Sequence, residues 1–123
     1  MLSDRLKAFI HASVKSILAL ELLMFLRANE GRSWTVAGLV RELRASEPIV
    51  RANLGLFQAA GLTRDEGGGW VRFAPASAEL SALVNEIAEV YATRPVEVSE
   101  EIYAVDRAIQ HFSDAFRLKN KKE

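Results

Sequence analysis

The sequence predicts a mainly α fold carrying one small β-hairpin. Apolar residues recur at helical spacing over most of the chain. Two β-prone runs, Leu62-Thr63-Arg64 and Trp70-Val71-Arg72-Phe73, flank the glycine-rich Asp65-Glu66-Gly67-Gly68-Gly69 and read as strand, turn, strand. The 123 residues are half hydrophobic and about a quarter charged, enough for one globular core and too few for two.

Taken in order, Leu2, Leu6, Phe9 and Ile10 fall on one helical stripe, which Val14, Ile17, Leu18, Leu22 and the run from Met24 to Leu26 continue. This is one bent helix or two, split near His11–Ser13, and Asn29-Glu30-Gly31 stops it. Between residues 17 and 26 apolar side chains go nearly all round, which places this element in the middle of the core. Ser33-Trp34-Thr35 is a short β-type piece. Val36, Leu39, Val40 and Leu43 then space a short helix that ends near Arg44. Ser46 is a good N-cap, with Glu47 and Pro48 in the first turn of the next helix. Val50, Leu54 and Phe57 form its apolar stripe, and Gly61 ends it as a left-handed cap. The hairpin follows, and Pro75 closes the block.

The remainder is helical. Leu80, Leu83, Val84, Ile87 and Tyr91 make one face of a helix over about residues 77–92, broken by Thr93-Arg94-Pro95. Ser99 is expected to cap a last helix with Glu100 and Glu101 at its positive end. Along it Ile102, Val105, Ile109, Phe112 and Phe116 alternate steps of three and four, an a/d seam that either docks on the chain's own core or, as its regular spacing favours, forms a dimer interface.

The net charge is zero, yet it is divided along the chain. Residues 1–64 hold nine Lys/Arg against five Asp/Glu, and residues 65–123 hold seven against eleven. The last seven residues turn basic again through Arg117, Lys119, Lys121 and Lys122, either a solubilising end or a source of nonspecific phosphate contacts. The absence of cysteine removes disulfides, thiolate metal sites and thiol nucleophiles. No Walker lysine, dinucleotide fingerprint or nucleophile elbow occurs, and His11 and His111 have no ligand-spaced partner, so the sequence supports neither an enzyme nor a cofactor. The most apolar run, Ile17 to Leu26, is half the length of a membrane span and contains Glu21, and no signal peptide is evident. A cytoplasmic protein is expected.

Helix, short strand, helix, turn, helix and hairpin, in that order, is the layout of a winged helix-turn-helix. The segments Thr35 to Leu43, Ser46 to Phe57, Gly61-Leu62-Thr63-Arg64 and Gly69-Trp70-Val71-Arg72-Phe73 resemble the DNA-binding core of MarR-type and related bacterial transcriptional regulators. The resemblance covers about half the chain, residues 14–75. It implies a single domain in which residues 1–13 and 76–118 are flanking dimerisation helices and 119–123 a basic tail. It also implies that residues 46–60 enter the major groove of duplex DNA and that 64–72 form the wing.

The residue chemistry fits that reading in part. Arg44, Arg51, Arg64 and Arg72 are expected on one side, where guanidinium groups suit phosphates or guanine edges, and Ser46 is a further phosphate donor. Glu47 fits only as a reader of a cytosine amino group. Opposite the apolar stripe lie Pro48, Ala52, Gly55 and Ala59, none with a side chain that hydrogen-bonds a base, while Asp65 and Glu66 offset the wing arginines. Trp34 and Trp70 are expected to pack within the small sheet. Two functions follow: a homodimeric regulator binding double-stranded DNA, or a winged-helix module that binds another protein through the small-residue face or the C-terminal seam.

Overall fold

The structure is a computed structural model and describes residues 2–104. Its elements are α1 (Asp4–Ser13), α2 (Ile17–Ala28), β1 (Ser33–Thr35), α3 (Val36–Leu43), α4 (Glu47–Ala59), β2 (Thr63–Gly67), β3 (Trp70–Phe73) and α5 (Ala78–Thr93). A further helix, α6, begins at Pro95 and runs to the limit of the described residues. The fold is mainly helical with one small antiparallel sheet.

Four helices open on the same device. The side chains of Ser3, Ser16, Thr35 and Ser77 accept the N–H of the third residue on, at 3.2, 3.0, 3.1 and 3.1 Å. Each satisfies a donor that the helix itself leaves unpaired. Ser16 is why the long N-terminal apolar stretch becomes two helices: α1 ends at Ser13, Ser16 restarts the chain as α2, and the two axes differ by 103°. No single described helix is long and apolar enough to cross a membrane.

The sheet has strand order β1-β3-β2 with both pairings antiparallel. Ser33, Trp34 and Thr35 pair with Arg72, Val71 and Trp70, and on the other side Thr63, Arg64 and Asp65 pair with Phe73, Arg72 and Val71. The expected turn was too long. β2 continues through Asp65 and Glu66 to Gly67, with a bulge between Asp65 and Gly67, and Gly68-Gly69 alone turns the chain at φ +63° and +85°. The bulge lets the chain keep pairing where the sequence looked like loop.

The core is built on α2, whose Ala19, Leu20, Leu22, Leu23 and Leu26 are all buried. Leu39 of α3, Val50, Leu54 and Phe57 of α4, and Trp34 and Phe73 of the sheet join it. From the other side come Leu6, Phe9 and Ile10 of α1 with Val84, Ile87 and Val90 of α5. α1 also meets α5 and α6 through polar contacts: Arg5 to Glu79 at 2.8 Å, Ser3 to Glu86 at 3.2 Å, and His11 Nε2 to Glu101 Oε1 at 2.7 Å.

The C-terminal part departs from expectation in two ways. Ser99 does not cap the last helix, because Pro95 starts it four residues earlier, its fixed φ suiting the first helical position. Ile102 does not stand at a dimer interface: with Val98, one turn before it, it is fully buried in the core of its own chain. The rest of the seam, Val105, Ile109, Phe112 and Phe116, lies outside the described residues.

Candidate functional site

α4 is fixed on one face and bare on the other. Val50, Asn53, Leu54 and Phe57 are buried and hold it against α2, α3 and β2. Gly61, at φ +80°, ends the turn after the helix, and Leu62 N–H donates back to Phe57 O at 2.9 Å. Pro48, Ala52, Gly55 and Ala59 are exposed along the opposite face, with Ile49 also out at 48% exposure. Ser46 stands at the N-cap position, but its hydroxyl makes no capping bond.

Residues 44–46 connect α3 to α4. Arg44 occupies the left-handed region there, at φ 52° and ψ 46°, and Ala45 N–H closes the turn onto Val40 O at 3.2 Å. That geometry is normally given to glycine, because a Cβ costs about 1–2 kcal/mol in it. Arg41, one turn earlier on α3, is exposed as well. Among the described residues neither Arg41 nor Arg44 has an ion-pair or side-chain hydrogen-bond partner.

A cleft of about 540 Å³ opens between α3, the first turns of α4 and the Gly68-Gly69 turn. Val36, Ala37 and Val40 form its apolar wall, and Arg41, Glu47 and Arg51 its charged rim. A shallower groove of about 210 Å³ continues along α4 past Arg51, Gly55 and Gln58, facing Asp65 and Val71 of the hairpin. Within this region Arg51 is already engaged: its Nη2 lies 2.8 Å from Glu47 Oε1. Asp65 accepts the Gly67 N–H at 2.8 Å and so shapes the hairpin bulge.

The structure therefore divides the expected arginine set. Arg44 and Arg51 lie by α4, with Ser46 and Glu47. Arg64 and Arg72 do not share that side. Strand alternation turns Thr63, Asp65, Val71 and Phe73 towards the helices, which leaves Arg64 and Arg72, directly paired in register, on the outward face of the sheet. Arg72 Nε approaches Glu66 Oε2 at 3.8 Å, and the Ser33 hydroxyl donates to the other Glu66 oxygen.

The tryptophans also separate. Trp34 is buried as expected, edge-on to Phe25 with ring centroids 4.9 Å apart and with the Arg32 guanidinium 4.1 Å above its ring; among the described residues its Nε1 has no partner. Trp70 does not pack within the sheet but stands on the outward face, 47% exposed. Arg41 was not among the sequence-selected site residues, although it lies at i+4 from Ala37 on the exposed stripe of α3. Among the described residues no three of His, Asp or Glu come together as a metal site. Comparison of the chain with protein-family models, curated proteins and solved structures returns no match.

Proposed function

We propose that the chain is a winged-helix transcriptional regulator that binds duplex DNA through α4. The observation that carries this reading is the bare face of α4 together with two guanidinium groups at the reversal leading into it, Arg41 and Arg44, that have no partner among the described residues. Unpaired arginines beside an exposed helix suit phosphates, and a helix of this diameter fits the major groove. The three-residue reversal between α3 and α4, with the hairpin following α4, supports the helix-turn-helix with wing. Ala52, Gly55 and Ala59 allow close approach and carry little base readout, so affinity comes chiefly from phosphate contacts and from Arg51 and Gln58 at the flank. A second copy of the chain would supply the second half-site, about one helical turn away.

The test is titration of a labelled mixed-sequence duplex at 50 and 200 mM salt, with wild type and Arg51→Ala. Binding that falls at least tenfold with salt, and is weaker in the variant, is the expected result. A folded protein that leaves the duplex free at 50 mM salt overturns it. In that event the exposed Ile49 beside Pro48 and Ala52 favours the second reading, a module that binds another protein through the same face.

A further inference from the structure

The outward face of the sheet is not explained by duplex binding through α4, because the sheet itself stands between them. Three features on it coincide. Arg64 and Arg72 are cross-strand partners, and like charges set directly opposite each other repel. Arg64 has no partner among the described residues, and Arg72 has only Glu66 at 3.8 Å, longer than a hydrogen bond. Trp70, two positions before Arg72 on β3, points to the same side and is half exposed. Its Cδ1 lies 3.7 Å from where a side chain on Gly68 would begin, so the glycine turn leaves the indole edge uncrowded.

We propose that this face binds single-stranded nucleic acid, stacking one base on Trp70 and seating the adjoining phosphate between Arg64 and Arg72. An anion there relieves the arginine repulsion that the fold leaves in place. The indole offers a π-face that every base matches, and only an unpaired base presents its own face freely. Two residues along a strand are roughly 6.5 Å apart, a short step from stacked base to phosphate. Glu66 is the built-in competitor: its carboxylate holds Ser33 and sits nearest to Arg72, where the phosphate would arrive. This surface is independent of α4.

The test is titration of the full chain with a twelve-residue oligothymidine at 20 mM salt, read by tryptophan fluorescence. Trp34 is buried and gives a constant background, so the change reports Trp70. Saturable quenching is expected, with affinity reduced about tenfold or more by Trp70→Ala. Arg64→Ala is expected to weaken binding and flatten its salt dependence by about one phosphate contact. Glu66→Gln is expected to tighten binding several-fold. No saturable quenching in the wild type overturns the proposal. So does oligothymidine binding, followed by fluorescence anisotropy of a labelled strand, that is as tight in Trp70→Ala and Arg64→Ala as in wild type. Both positions are exposed, and circular dichroism confirms that the variants remain folded.

Discussion

Across one turn of α4 the Arg51 guanidinium meets the Glu47 carboxylate at 2.8 Å, so the two exposed charges at the start of the helix satisfy each other. An exposed i, i+4 pair of this kind contributes only about 0.3–0.5 kcal/mol to stability. Its effect on a phosphate or base edge is larger, because Glu47 both occupies Arg51 and repels the ligand. Glu47→Gln is therefore expected to tighten duplex binding several-fold while the melting temperature moves by no more than a degree or two. Equal affinities for Glu47→Gln and wild type would show that Arg51 is not a DNA contact.

Arg44 provides a test in which stability and binding move in opposite directions. Glycine at this left-handed position removes the Cβ strain, so Arg44→Gly is expected to stabilise the protein by about 1 kcal/mol, a rise of several degrees in melting temperature. The same change removes an exposed guanidinium at the reversal into α4 and is expected to weaken duplex binding several-fold. Arg44→Lys should restore the binding without the added stability. A glycine variant that melts at or below the wild-type temperature contradicts the strain assigned here.

Gly61 has no such freedom to change. A Cβ there would meet Ala76 Cβ and Leu80 Cδ1 at 3.3 Å, on top of its positive φ. Its backbone is also committed, since Gly61 O accepts the Ala76 N–H at 2.8 Å and ties the end of α4 to the entry into α5. Gly61→Ala is expected to cost about 1–3 kcal/mol in chemical denaturation. A loss below about 0.5 kcal/mol would mean that the α4–β2 corner relaxes freely.

Ile102 separates core packing from self-association. It is fully buried within its own chain, so Ile102→Ala is expected to destabilise by about 2–5 kcal/mol at any protein concentration. Were it a contact between copies, the loss would shrink on dilution, which melting curves recorded over a hundredfold range of concentration would reveal.

Local chemistry was legible in the sequence wherever one residue type decides the geometry. The break after Ser13, the short strand at Trp34, the helix end at Gly61 and the start of α4 at Glu47-Pro48 all follow from helix-start residues, glycine and apolar period. What the sequence did not disclose depends on pairing between distant segments. The side taken by Arg64 and Arg72 is set by strand register, and a single bulge keeps Asp65 and Glu66 in the ladder although their composition suggests a turn. Ser99 and Pro95 both carry helix-start signals, and the proline prevails because Val98 and Ile102, one turn apart, both reach the core from a helix begun there. Trp70 reads as core by residue type, but β3 gives its inward positions to Val71 and Phe73. Nothing in the sequence marks Arg41, because its significance lies in having no partner among the described residues, which only the folded charge arrangement reveals.

The 103° bend between α1 and α2 also has a kinetic side. It sends α1 back across α5 and α6, where its polar contacts join residues 74, 83 and 90 positions apart. Residues 17–73 instead fold largely on neighbours close in sequence. Closing so large a loop costs entropy that only the completed α1–α5 contact returns. α1 is thus expected to dock last and to leave first. Its amides should exchange with solvent ahead of those of α2, although the two helices look almost continuous in the sequence.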